Sequence, residues 1–272
     1  MEQVKNNSFS NGAYVWFVGM VVDVNDPDMD GRVKVRIMGY HPDAEGQINV
    51  NDLPWAMVET GVMSASTKGI GFAPHGLLKD SFVKGHFLDG SDAQLPMVTG
   101  TFYGEGDMPE LARGKNTVKK TLVSAGGIQE PKSPYASKYP HNKVMVSPTG
   151  HVIEIDDTPN AERLHIFHKS GTFIEFHPDG KAVYHNKNAS YFITEGSHSQ
   201  VTNGDFKHFV SGNYDLQVGG SYSAKISGSG NIQTGGTLNI KAGGSANIQS
   251  GGSMALKAGG TMSHKAAVIN QN

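Results

Sequence analysis

The last third of the chain repeats an eight-residue pattern of hydrophobic and polar positions. Between Glu195 and Ala266, nine consecutive blocks have glycine at the second position and Ser, Thr, Asp or Asn at the third. The sixth and eighth positions are apolar in many blocks, and the seventh is mostly Lys or Gln. Glycine beside a short polar residue favours a bend, and alternation between bends indicates a strand with one face inward. Each block, or octad, is therefore predicted to contain one strand and one bend.

An octad cannot bury its own apolar face, so the octads must stack. A single chain could wind three octads per turn, but its sheet edges would stay exposed. Three intertwined chains would pair every strand with strands of its neighbours, which favours a homotrimer. At a strand spacing of about 4.8 Å, nine octads predict a rod roughly 43 Å long. Its interior is expected to narrow where the eighth position is small: Ala242, Ser250, Ala258 and Ala266.

The N-terminal part of the chain has the pattern of short strands. The β-rich runs at residues 14–24 and 32–38 flank the turn-forming NDPDMDG and predict a hairpin. Further strands are predicted at residues 81–88 and 97–103. About five strands in about 100 residues suit a closed barrel such as an OB-fold, although an open sandwich has a similar signature.

The middle of the chain combines a linker with a β-meander. Residues 115–139 are rich in Lys, Ser, Pro and Gly and have little apolar periodicity, which is typical of a linker. Beyond them, turn signals begin at Ser147, His168 and His177, and the β runs between these turns predict the meander. The runs lie at residues 151–155, 164–167 and 172–176.

Charge and composition count against several classes of function. A formal net charge of −2 and a pI near 6.6 give no electrostatic reason to expect a nucleic-acid or anionic-membrane partner. Without cysteine, neither disulfides nor thiolate metal sites can form. The polar start MEQVKNNSFSNG lacks the features of a secretory signal. The longest nearly apolar run, residues 14–22, is shorter than the ~20 residues that span a bilayer.

Two loops resemble ligand-binding motifs without completing them. Residues 26–31, DPDMDG, match the opening of a calcium loop, but Ile37 stands where the last ligand should be Glu, so a turn is expected. Gly69 and Gly71 begin a dinucleotide fingerprint whose third glycine would fall at Pro74, so this segment is expected to be a loop. The P-loop, HExxH and GxSxG motifs are absent.

Histidine is the remaining candidate for chemistry. Half of the twelve histidines fall in the middle segment near Glu154, Asp156 and Asp157, without helical ligand spacing, so we expect them on solvated strand faces. These are His141, His151, His165, His168, His177 and His185. Another three, His198, His208 and His264, lie in the octads, the last two at position six, and in a trimer His264 would form a ring able to hold an ion or a water. No catalytic, cofactor or metal residue is predicted.

Several segments resemble the central spike family of contractile phage tail baseplates, as in T-even phages. They are residues 17–43, Leu53-Pro54-Trp55, residues 74–90, residues 94–104 and residues 139–180. The octads at Val210, Val218 and Ile226 are similar to the family's triple-stranded β-helix, and the valine-glycine repeat spikes of type VI secretion look similar too. Later octads depart from the family pattern at position eight, with Thr234, Ala242, Ser250 and Ala258.

The resemblance implies an all-β homotrimer that docks on a baseplate hub and punctures the host envelope. The expected parts are an OB-fold hub-binding domain (1–104), a linker (105–138), a β-strand neck (139–194), a triple-stranded β-helix (195–266) and a tip (267–272). A tip-capping protein is a further expected partner. We expect the protein in the tail baseplate of the virion after assembly in the host cytoplasm.

The family's lysozyme domain is not expected here. In the T-even spike it lies between the barrel and the neck, whereas only about 35 residues separate Tyr103 from Tyr139. We therefore predict a structural protein and not an enzyme.

Three alternatives stay open. The first alternative is a secretion or extracellular injection spike. Such a spike usually carries a hub domain ahead of the barrel, whereas the barrel here starts near residue 14, which favours a phage component. A β-helical carbohydrate-active enzyme needs paired carboxylates, and residues 216–272 contain no Asp or Glu. Nucleic-acid binding through the barrel needs a basic aromatic face.

Overall fold

The protein was analysed as a computed structural model, which describes residues 14–42 and 48–269. The polar N-terminal start and the last three residues of the predicted tip lie outside the described residues. The fold is all-β, as predicted, and its regular strands form a barrel and a separate sheet. Within the described ranges, no helix is long and apolar enough to cross a membrane.

Five strands close the N-terminal barrel. β1 and β2 form the predicted antiparallel hairpin, and β3 pairs in parallel with β5. The barrel order β1-β2-β3-β5-β4, closed by β4 on β1, is that of an OB-fold. The closed barrel therefore decides against the open sandwich. The strands are β1 (Val15–Asp23), β2 (Val33–Ile37), β3 (Trp55–Val58), β4 (Phe82–Phe87) and β5 (Pro96–Thr101).

Period-two alternation builds the barrel core. Inward side chains from all five strands are buried together, including Phe17, Val35 and Phe87. Two glycines let neighbouring strands approach closely: a Cβ on Gly19 would lie 2.7 Å from the Arg36 carbonyl oxygen, and one on Gly85 would lie 2.1 Å from that of Met97. A side chain at either position would force the strands apart.

The NDPDMDG segment is a turn, as predicted. The Asp26 carboxylate accepts hydrogen bonds from the backbone N–H groups of Asp28, Asp30 and Arg32. It also pairs with the Arg32 guanidinium at 2.6 Å, and this contact holds the pKa of Asp26 well below its usual range. Arg32 and the turn backbone thus occupy the oxygens that a calcium ion would need.

A five-stranded antiparallel sheet, here called the neck sheet, follows as the predicted meander. Its tight turns close with a hydrogen bond from the glycine N–H to the first turn residue, and Gly150, Gly171 and Gly180 have φ of 91°, 99° and 81°. Only glycine adopts this backbone without strain. The strands are β8 (Asn142–Val146), β9 (Val152–Asp156), β10 (Arg163–Phe167), β11 (Phe173–Phe176) and β12 (Ala182–His185).

The predicted linker contains a small hairpin, β6 (Ser124–Ala125) with β7 (Ile128–Gln129). Residues 115–138, here called the covering segment, pack against one face of the neck sheet through Lys120, Ser133 and Tyr135. The segment is therefore an ordered part of the fold.

The octad segment, residues 195–266, bends once in every octad. Bends fall on positions one and two of each block, from Glu195-Gly196 to Gly259-Gly260, as the glycine period predicts. The described octad glycines do not have φ between +20° and +160°, so their left-handed freedom is not used. Between bends, the described residues form no strand pairs within the chain. By contacts the chain divides into two units between Phe209 and Val210.

Candidate interaction surfaces

The neck sheet presents an apolar face that the described part of the chain leaves open. Cross-strand register aligns Ile153, Ile166, Ile174 and Tyr184 in one row across four strands. A second row aligns Ile155, Leu164 and Phe176. All of these side chains except the half-buried Ile174 are exposed, as is Met145 beside Ile153. These eight residues are called the apolar face, and a continuous patch of this kind marks an interaction site.

The opposite face of the same sheet is charged and buried. Glu154, Arg163, His165 and Glu175 are each no more than 3% exposed, because the covering segment lies over them. Lys120 reaches down from this segment to Glu175 at 2.9 Å. The arrangement is the reverse of an ordinary sheet, in which the apolar face is covered.

Opposite charges compensate one another in this buried cluster. The Arg163 guanidinium lies 2.8 Å from Glu154 and 3.0 Å from Glu175. Burial acts to raise the pKa of Glu175, but the Ser133 hydroxyl, Lys120 and Arg163 outweigh it and lower that pKa to about 2. Two carboxylates and two cations remain, so the cluster is electrically balanced.

His165 stays neutral in this setting. Burial lowers the pKa of its imidazole, and its Nδ1 lies 2.7 Å from a Glu154 carboxylate oxygen. An imidazole oriented by a carboxylate resembles part of a catalytic triad. The Ser133 hydroxyl, however, donates to Glu175 at 2.6 Å and not to His165. The Ser133 hydroxyl therefore binds the covering segment to the neck sheet.

The histidine interpretation was only partly right. His165 and His177 are buried beside Glu154 and Glu175, so the expectation of solvated strand faces is wrong for these two. It is also wrong for His185, whose side chain is only 12% exposed and lies 3.0 Å from Glu130. Their strand positions alternate correctly, but the covering segment shields the polar face. His141 and His168 are exposed as expected. Among the described residues, no group of three or more His, Asp or Glu side chains is arranged to hold a metal ion.

The octad segment exposes its apolar positions along its whole described length. At position six, Leu216, Ile232, Ile240 and Ile248 all remain open to solvent. His264 at position six and His198 at position four are exposed as well. A Cβ added to any glycine at position two would have no atom of the described residues within 4 Å.

The barrel carries a third exposed surface. Trp16, His86, Met97 and Met57 lie side by side in register across four strands, and Trp16 is 63% exposed. The ring centroids of Trp16 and His86 are 5.3 Å apart. This set is called the barrel row. Aromatic and Met side chains of this kind are enriched at protein interfaces.

Comparisons with known proteins identify relatives of this chain. Residues 39–159, from the end of the β1–β2 hairpin to just beyond β9, match the family model of the Gp5 N-terminal OB domain. Protein Gp5 of Vibrio phage KVP40 is 29% identical over 239 residues, covering 62% of this chain and 57% of that protein. The Pre-baseplate central spike protein Gp5 of Enterobacteria phage T4 is 40% identical over 94 residues, covering 33% of this chain and 15% of that protein. The chain thus spans less than two thirds of either relative.

Proposed function

We propose that this chain, which is similar to the Gp5 proteins of T4-like phages, is the central spike of a contractile phage tail baseplate. The T4 relative is named a pre-baseplate central spike protein, and the predicted resemblance to this family is confirmed. The proposal places the protein in the tail baseplate of the virion, after assembly in the host cytoplasm. Its task there is to be driven through the host envelope when the sheath contracts.

The observation that carries the proposal is an octad segment that is incomplete as a single chain. Its apolar side chains are open and its backbone lacks strand partners within the described chain. Buried backbone N–H and C=O groups and apolar faces both need partners. Three copies winding around one another supply them, because each strand then pairs with its neighbours.

The octad glycines support the same conclusion. Position one holds Glu195, Asn203, Ser211 and Ser227 as well as glycine, whereas position two is always glycine. The chain's own backbone angles and contacts do not require glycine at position two. Close approach of another chain is a physical reason for excluding a side chain there.

The neck extends the trimer proposal. Its polar face is already covered within the chain, so the apolar face is the surface left for partners. Three such faces turned toward a threefold axis would form a shared core. A continuous ladder of interchain hydrogen bonds would then distribute axial force, and rigidity would be the working property of the spike.

The remaining partners are assigned to the two ends. The barrel is proposed to dock on the baseplate hub, with the barrel row as the candidate contact, and a capping protein is proposed for the tip. We propose no enzymatic activity. The alignment with the KVP40 relative runs over 239 residues but covers only 62% of this 272-residue chain, so that relative contains residues that face gaps here.

Native mass measurement of the purified chain tests the proposal. We expect a trimer that resists mild SDS, because its strands interlock. A stable monomer at micromolar concentration would overturn the proposed spike. A cell-wall hydrolysis assay of the same preparation is expected to show no activity.

A further inference from the structure

The C-terminal part of the octad segment is positively charged along its whole length. Residues 216–272 contain Lys225, Lys241, Lys257 and Lys265 but no Asp, Glu or Arg. All four lysines are exposed. The whole chain has a net charge of −2, so its negative charge lies entirely outside this segment. Ordinary solubilising surfaces mix both signs, whereas a single-sign surface attracts the opposite charge.

The lysines occupy one position of the repeat. Each stands at octad position seven, where Gln217 precedes the first lysine and Gln233 and Gln249 separate the first three. Strand alternation places position seven on the side opposite to positions six and eight. In the trimeric rod, lysines would therefore form rings on the outer surface; glutamine rings would separate the first three, and the last two would be adjacent.

Apolar residues follow the last lysine. Val268 and Ile269 are exposed at the end of the described chain, directly after Ala266 and Ala267. Lysines together with exposed aliphatic side chains suit an anionic lipid surface, where the cations meet phosphate groups and the aliphatic groups enter the interface. Nucleic acid fits less well, because single strands need stacking aromatics, and no Phe, Tyr or Trp follows Tyr222.

We infer that the C-terminal half of the octad segment is a binding surface for anionic phospholipid, with the position-seven lysines as the contacts. The inference rests on the proposed spike, since it names the chemistry of the surface that the rod meets. It revises the expectation from net charge alone, which averages this positive segment with the negative remainder.

The test uses the full chain and co-sedimentation with phosphatidylcholine vesicles, with and without phosphatidylglycerol. Wild-type protein is expected to bind the anionic vesicles preferentially, and added salt should abolish this preference by screening. Replacing the four lysines with Gln, which already occupies position seven in other octads, should weaken binding by about tenfold or more. The control replaces Lys68, Lys79, Lys169 and Lys187, all exposed outside this segment, with Gln.

Several outcomes would overturn the inference. They are absent binding, equal binding to neutral vesicles, an equal loss in both quadruple variants, or tighter binding of duplex DNA than of vesicles. Native mass of each variant is measured first. A trimer that ignores anionic vesicles would refute only the lipid surface, whereas a monomer that binds them would refute the trimeric spike and leave the lysine contacts supported.

Discussion

Truncation of Ile166 to alanine tests the apolar face at its centre. Ile166 pairs with Ile153 on one side and Ile174 on the other, and 53% of its surface is exposed in the single chain. If the face were open to water in the assembled protein, removal of these methyl groups would change stability by less than about 0.5 kcal/mol.

In the proposed trimer the expected loss is much larger. Truncating a fully buried isoleucine costs about 2–5 kcal/mol. Because roughly half of Ile166 is already covered by its own chain, contacts between chains account for about 1–2.5 kcal/mol per subunit. Three copies would lose about 3–7.5 kcal/mol, which lowers the trimer association constant by about two to five orders of magnitude.

The assay measures trimer dissociation in guanidinium by sedimentation over a range of protein concentrations. Native mass measurement identifies the oligomeric state of each variant without denaturant. The matched control is Met38→Ala in the barrel, whose side chain is 50% exposed but lies outside the apolar face. Similar small effects of both substitutions would show that the apolar face does not mediate assembly, and the trimeric neck would have to be abandoned.

Three further predictions address the octads and the buried charges. Gly236→Ala is expected to lower the temperature at which SDS-resistant trimers dissociate, because the added methyl group overpacks the trimer interior by about 1–3 kcal/mol. Gly235→Ala, at position one, which tolerates other residues, should have little effect. If both substitutions were equally tolerated, the chains would not approach closely at position two. Arg163→Met should destabilise the neck by about 3–5 kcal/mol in guanidinium unfolding, because Glu154 is left buried without its cation. A loss of stability below about 1 kcal/mol would contradict the burial of this ion pair. The folded pKa of Glu175 is about 2 and the ordinary value is 4.5, so the ionised Glu175 contributes its full stabilisation of the fold above pH 4.5 and loses it as the pH falls toward 2. Ser133→Ala should make this loss of stability in acid smaller. An unchanged dependence of stability on pH would refute the role of the Ser133 hydroxyl.

The barrel and the meander follow from the sequence because their strands alternate regularly between clear turns. The short strand β3 was not predicted as a strand, since Trp55–Val58 offers only four residues of pattern. The sequence also did not predict which face of the neck sheet is covered. Alternation in Val152–Asp156 separates isoleucines from acidic residues, but it does not say which face another segment will cover.

The covering segment explains why orientation could not be predicted. A segment that packs on charged side chains needs polar groups such as Lys120 and Ser133, so it lacks the apolar periodicity that marks a packed element. The pairing of Arg163 with two glutamates from neighbouring strands depends on strand register, which single-sequence patterns leave open. A candidate signal was the presence of charged residues at alternating positions of three consecutive strands: Glu154 in β9, Arg163 in β10 and Glu175 in β11.

The constant glycine period has a consequence for how three chains find their alignment. Sliding one chain past another by eight residues would bring each position-two glycine opposite another position-two glycine, so the repeat by itself tolerates misregistered starts. Correct alignment must then be imposed where the sequence does not repeat, and the neck sheet with its isoleucine rows is the non-repeating region immediately before the octads. In the proposed trimer, assembly would begin at the neck, and the three chains would then wind around one another toward the C-terminus. A chain lacking the neck would form staggered, aggregation-prone fibres.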